Sequence, residues 1–136
     1  MTIVKNIHFE NESLAVEASM RAWYRALEAH DWEIVTSGLT ESFLMIEHDQ
    51  ILDKPSLLAM LKESAKRGRL RANLREFRTQ IEGKCAWTTM HNDELWLPNQ
   101  GEQRQFAFLE TAVLRHGQGY WQIERYHATR LLPVSK

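Results

Sequence analysis

Cysteine occurs once in this chain of 136 residues, at Cys85. One thiol can neither close an internal disulfide nor build a thiolate metal cluster, so nothing calls for an oxidising compartment, and a cytoplasmic location is the expectation. A lone cysteine in a strand-like stretch reads as core filler. Proline (3) and glycine (6) are also scarce. Without a proline-rich linker or a low-complexity run, residues 1–136 are expected to form a single domain. No stretch approaches the ~18 apolar residues of a membrane span, and the start, MTIVKNIHFENE, has neither the basic residues nor the apolar run of a signal peptide. A glycine-rich phosphate loop and a GxSxG elbow are both missing, which leaves nucleotide-dependent and serine-hydrolase chemistry without support. The six histidines (8, 30, 48, 91, 116 and 127) show no HxxxH or HxH spacing. Neither a metal nor a cofactor is therefore expected.

Charge of one sign is not in excess: 17 Lys and Arg face 18 Asp and Glu, a formal net charge of -1. The basic residues do cluster, with seven Lys or Arg between Lys62 and Arg78. No nucleic-acid motif surrounds them, so the cluster reads as a solvated helix end running into an exposed strand face, and no nucleic-acid partner is expected. The chain is rich in core-forming residues. A hydrophobic fraction of 43%, with five Trp, five Phe and five Met, can fill the interior of one compact unit.

Val16, Met20, Trp23 and Leu27 recur at helical spacing and predict a helix over residues 13–29, with Ser13 at its N-cap. Asp31 is placed to cap a short second helix through Trp32, Ile34 and Val35 that stops at Gly38. The apolar run Phe43 to Ile46, followed by Ile51 and Leu52, predicts two short strands around a turn at residues 48–50. Pro55 suits the first turn of a third helix that carries Leu57, Leu58 and Leu61 inward and ends at Gly68. Beyond Gly68 the apolar residues alternate with period two, broken at residues 82–83, 98–101 and 117–119, which predicts four long antiparallel strands. Leu70, Ala72 and Leu74 share one parity and Phe77 and Ile81 the other, so a bulge belongs near Arg75 and Glu76. The strand over 104–116 is apolar on both faces and should be central, covered by helices on one side and by a second subunit on the other.

Two helices, a short hairpin, a third helix and four long strands make an α+β order, with the helices of the N-terminal half packed in the concave face of a strongly bent, mainly antiparallel sheet. Three segments carry a resemblance: the helix end LEAHDWEIV, the block FLMIEHDQILDKPSLLAMLK and the closing YWQIERYHATRL. Together they resemble the nuclear transport factor 2-like superfamily, the cone-shaped, cystatin-like fold of ketosteroid isomerase, scytalone dehydratase and SnoaL-type polyketide cyclases. The resemblance covers nearly the whole chain. It implies a conical pocket open at one end, a small-molecule ligand in that pocket, and dimerisation through the outer face of the long strands.

Function is then sought among polar residues that face inward. Trp121, Ile123, Arg125, His127 and Thr129 share a parity in the last strand, and Trp121 with Ile123 suits the core, so His127 should point toward the pocket. It reads either as a hydrogen-bonded core histidine or as an acid-base group. Glu110 interrupts an apolar strand on the parity of Phe106, Phe108 and Ala112. It is either ion-paired with Arg125 or Arg130, or a buried acid whose pKa is raised.

Ketosteroid isomerase uses a tyrosine on the first helix, an aspartate base on the first short strand and a second acid on a later strand. The resemblance puts Trp23 at the tyrosine's place, with Tyr24 about 100° away around the helix, Glu47 near the base and Glu110 near the second acid. The missing phenol argues against steroid-type isomerisation. Scytalone dehydratase pairs a histidine with an aspartate, which His48 with Asp49 or His127 with Glu110 could imitate in part, although His48 also reads as a solvated turn residue. The aspartate, arginine, aspartate relay of limonene epoxide hydrolase is echoed only loosely by Arg125 between Glu47 and Glu110. Leu95, Trp96 and Leu97 close the strand before the Pro98 break with apolar groups on both parities, as a partner-binding edge or lid would.

The expectation is a pocket protein for an apolar or aromatic small molecule. His127, Glu110 and Glu47 are its candidate acid-base residues, and Trp23, Trp87, Arg125 and His48 its candidate ligand contacts. The competing reading is a non-catalytic association module that assembles through its sheet face.

Overall fold

The structure is a computed structural model and describes the backbone of residues 2–132 and the side chains of residues 11–132. Three helices come first: α1 (Thr2–Glu28), α2 (Trp32–Ser37) and, after the strands β1 (Leu39–Glu47) and β2 (Gln50–Asp53), α3 (Lys54–Ala65). Four long strands follow: β3 (Gly68–Glu82), β4 (Cys85–Pro98), β5 (Arg104–Gly117) and β6 (Tyr120–Leu131). They form one six-stranded sheet in the order β2-β1-β6-β5-β4-β3. Every pairing is antiparallel except β1 with β6, which is parallel. This is the α+β fold expected from the sequence, in a mixed sheet that curls around the helices without closing. No helix among the described residues is long and apolar enough to cross a membrane.

The helix N-terminus differs from the expected one, since α1 begins at Thr2 and Ser13 lies inside it. The apolar stripe is wider than the four residues that predicted the helix: Val16, Met20, Trp23, Tyr24 and Leu27 are all buried. A stripe of about 100° takes in both neighbours at its centre, which brings Tyr24 inward beside Trp23. The opposite edge of α1 holds down the free edge of the sheet. Arg21 Nη1 donates to the Leu74 carbonyl (2.8 Å) and Glu28 Oε2 accepts from the Ala72 N–H (2.7 Å). Backbone groups that an edge strand would otherwise offer to another chain are thereby satisfied.

Asp31 caps α2 through Ile34 N–H and Asp53 caps α3 through Ser56 N–H. Pro55 sits in the first turn of α3, and Lys66 rather than Gly68 ends that helix. Gly68 opens β3, where a Cβ would stand 2.5 Å from the Leu97 carbonyl oxygen. The expected bulge is present between Arg75 and Arg78, and Glu76 takes a φ of 57° there. A second bulge lies in β6: Arg125 pairs with Val113 and Ile123 with Leu114, which leaves Glu124 as the extra residue. An extra residue reverses the side-chain alternation of everything after it.

Candidate functional site

Side chains of directly paired residues share a sheet face, so the register lays out the concave surface. Across β4, β5 and β6 it carries Glu94 beside Phe106, then Asn92 beside Phe108 and Arg130, then Met90 beside Glu110 and Ala128, then Ala112 beside Tyr126. Strand β1 adds Glu47 beside Ala128 and Met45 beside Tyr126. Three carboxylates on one concave face are unusual, because a buried charge must be paired or neutralised.

Glu110 is 4% exposed and sits in a hydrogen-bonded cluster. Its Oε1 accepts from the Tyr126 hydroxyl and from the Tyr24 hydroxyl (3.3 Å), and the two phenol oxygens are 2.7 Å apart. Its Oε2 accepts from Asn92 Nδ2 (3.1 Å), whose second hydrogen goes to Glu94 Oε2 (2.7 Å). One buried amide therefore bridges two carboxyl groups. Trp23 stands edge-on to Tyr24, with centroids 5.1 Å apart, and its Nε1 donates to the Val35 carbonyl (3.0 Å). This contact fixes the ring wall behind the phenols.

Desolvation raises the pKa of Glu110, and the Glu47 charge adds to it, while the donors Tyr126, Asn92 and Tyr24 pull it back. Glu94 lacks two of those donors. Desolvation first, then the Glu110 and Glu47 charges, push it from 4.5 to about 8, against the Asn92 hydrogen bond. Burial and the Glu110 charge hold Tyr24 and Tyr126 well above the ordinary phenol value, so both remain donors. The chemical consequence is an ordered pair: the first proton leaves Glu110, whose anion has three hydrogen-bond donors, and the second stays on Glu94 through neutrality. Toward Glu94, Phe106 and Arg130 the face opens, since these three are half-buried, half-buried and exposed.

Glu110 and Glu47, the two carboxylates singled out from the sequence, do lie on this one face, each close enough for Glu47 to act on Glu110. Glu110 has neither Arg125 nor Arg130 as an ion-pair partner; its contacts are the phenols and Asn92. The other candidates lie elsewhere. His127 is exposed on the outer face, because the Glu124 bulge turns Tyr126 and Ala128 inward in its place. Arg125 also faces outward and donates to the Ser42 carbonyl (2.8 Å). Trp87 lies on the outer face, 39% exposed. His48 occupies the β1–β2 turn with a φ of 57°, its Nε2 3.8 Å from Glu47 Oε1. Trp23 is a wall residue, and Tyr24, expected about 100° away from it around the helix, is buried beside it with its hydroxyl on Glu110. Tyr126, Asn92 and Glu94 escaped the sequence reading. For Asn92 and Glu94 the signal was the period-two run Ala86, Thr88, Met90, Asn92, Glu94, which places three polar groups on an inward parity.

A narrow cleft of about 160 Å3 lies nearby between α1, α3 and the sheet, lined by Leu27, Trp32, Leu61, Leu70 and Trp96 among others. Trp96, expected at an exposed edge, is one of its walls. Among the described residues no group of three or more His, Cys, Asp or Glu is arranged to hold a metal ion.

Residues 16–133 match the family model of the SnoaL-like domain. No curated protein matches the chain. Among solved structures, a conserved protein from Planctomyces limnophilus superposes with a TM-score of 0.83 at 20% identity, over 90% of this chain and 99% of that one. A ketosteroid isomerase-like protein from Erwinia carotovora atroseptica gives 0.74 at 19% identity, over 92% and 100%. The association domain of CaMKII from C. elegans gives 0.75 at 15%, over 90% and 98%. At these identities the likeness establishes the shared fold, which an isomerase-like protein and an association domain both have.

Proposed function

From the premise that the chain belongs to the SnoaL-like domain family, within the nuclear transport factor 2-like superfamily, we propose that it binds an apolar or aromatic small molecule at the open end of its concave face and moves a proton on it. One observation carries the reading: the Glu110 and Glu94 carboxyl groups, bridged by Asn92 and backed by two phenols, form a polar cluster inside an otherwise apolar cone. Such a cluster costs stability unless each desolvated carboxyl is held by hydrogen bonds or by a proton, a cost that an apolar filling of the cone would avoid. Glu94 holds a proton near neutrality and lies toward solvent, which suits a general acid; Glu47, across the same face, is the base candidate. Phe106, Phe108 and Trp96 supply the apolar walls. A thermal-shift screen with hydroxylated, carboxylated and polycyclic compounds tests the reading. A ligand that raises Tm, and whose affinity drops in Glu94→Gln with the fold preserved, supports it; hits whose affinity ignores both Glu94→Gln and Glu110→Gln overturn it.

The proposal extends to a cytoplasmic homodimer formed through the outer sheet face. Trp87 (39% exposed), Leu109 (43%) and Ile46 (43%) leave apolar side chains on that face, which a second copy would cover. The same surface supports the second reading, a non-catalytic association module. Leu109→Glu and size-exclusion with light scattering separate them. A module loses its assembly and binds no small molecule, whereas a ligand-binding dimer keeps its thermal shifts in the wild type.

A further inference from the structure

Arg130 sits at a concave position of β6 beside Phe108, opposite three carboxylates, and it has no ion-pair partner there; the arginine at the next concave position beyond Phe106, Arg104, lies beside Trp96. The neighbour of Arg130 is an aromatic ring: its guanidinium carbon lies 4.6 Å from the Phe106 centroid. Phe106 in turn pairs across the ladder with Glu94, so carboxyl, ring and guanidinium form a row along the open end of the cone. A guanidinium over a ring face keeps its N–H donors, which form no hydrogen bond with the ring's carbons, for an oxygen acceptor. Arg130 is exposed, so those donors are reachable from solvent.

We infer that Arg130 is an anion-recognition residue, and that the ligand of this site is an aromatic or apolar carboxylate whose charged group pairs with the guanidinium while its apolar body lies over Phe106. The inference rests on the ligand-binding reading above and names its substrate class. A planar guanidinium binds a carboxylate through two parallel N–H···O bonds, which a phenol or amide cannot reproduce. The unpaired cation also answers a problem of charge. An anion approaching Glu47, Glu94 and Glu110 would be repelled if all three were ionised, and Glu94 keeps its proton through neutrality. With the anion on Arg130, the body of the ligand extends along the concave face from Phe106 toward Glu94 and Asn92. That is the direction in which the acid-base groups lie.

The test is isothermal titration of the full chain at neutral pH with naphthoate, biphenyl carboxylate and hydroxybenzoate, each against its neutral amide. The acids should bind about tenfold or more tighter than the amides, the worth of a charge-assisted pair. Arg130→Met keeps the apolar stem on Phe106 and should erase that preference, whereas Arg130→Lys should restore part of it; circular dichroism checks that each variant is folded. Amides that bind as well as acids, or a preference that survives Arg130→Met, overturn the role of Arg130 and leave the pocket reading standing. Failure of every acid and every amide overturns both. Should Arg130→Met not fold, the acid-to-amide ratio in the wild type and in Arg130→Lys still decides.

Discussion

Replacing Glu94 by Gln should change the way stability depends on pH more than it changes stability itself. The substitution keeps the size and planarity of the side chain, and the amide oxygen of Gln can still accept from Asn92 Nδ2, which reaches Glu94 Oε2 at 2.7 Å. What it removes is a titration. Glu94 is held at about 8 in the folded chain against an ordinary 4.5, first by desolvation and then by the Glu110 charge. Between those two values the folded protein keeps a proton that the unfolded chain has lost, so the wild type loses stability as pH rises through that window. Below it both states are protonated, and above it both are ionised and the full penalty applies. At about 1.36 kcal/mol per unit, the interval corresponds to about 5 kcal/mol. Water at the half-open side of Glu94 solvates part of the charge, so a loss of about 2–4 kcal/mol is expected. Urea titrations followed by tryptophan fluorescence, run on both proteins from about pH 5 to about pH 9, read this directly. The advantage of Glu94→Gln should be small at the acid end and grow by that amount toward pH 9. Titrations that do not feel Glu94 are common to both proteins and cancel in the difference. Two stability curves that stay parallel across the range would refute the claim that Glu94 is held protonated by its surroundings.

Tyr126→Phe removes the donor closest to Glu110 Oε1 and leaves Tyr24 without its phenol partner; it should cost about 1–3 kcal/mol in urea titrations. Because that hydrogen bond lowers the Glu110 pKa, carbon NMR of the side-chain carboxyl should show it titrating at higher pH in the variant. Gly68→Ala puts a Cβ 2.5 Å from the Leu97 carbonyl oxygen and 2.8 Å from Pro98 Cα, both backbone atoms that cannot step aside; a loss of about 1–3 kcal/mol, seen as a lowered Tm, is expected. His127→Ala, on the outer face, should leave small-molecule affinity unchanged in titration calorimetry and move stability by no more than about 0.5 kcal/mol.

The fold was legible where the apolar pattern itself records the geometry. In β3 the switch from Leu70, Ala72 and Leu74 to Phe77 and Ile81 announces the bulge, since five large or small apolar groups cannot all face the core without one extra residue between them. The closing hairpin was equally plain, with Gln118 and Gly119 at positive φ between paired Gly117 and Tyr120. The parallel pairing of β1 with β6 had no such signature. It joins segments about 80 residues apart, and only tertiary packing chooses that neighbour.

The site was legible in its carboxylates and hidden in its phenols, for one reason at two places. A tyrosine is amphipathic, so its ring satisfies an apolar pattern while its hydroxyl does the chemistry. On α1, a stripe defined by Val16, Met20, Trp23 and Leu27 makes Tyr24 look peripheral, yet the helix buries it to 4%. On β6, the run Trp121, Ile123 continues by strict alternation to Arg125 and His127, while the bulged strand continues to Tyr126 and Ala128. Reading the strand with one residue inserted at Glu124 would have exchanged a solvent-exposed histidine for a buried phenol. The two alternatives differ in what they ask of the core: the unbulged strand buries a guanidinium and an imidazole, the bulged one a phenol and a methyl group. Desolvation favours the bulged strand, because a buried guanidinium would need a charged partner whereas a buried phenol needs only an acceptor, which Tyr126 finds in Glu110. Buried polar residues in this chain are thus read most safely as a set whose hydrogen bonds must close, rather than one candidate at a time.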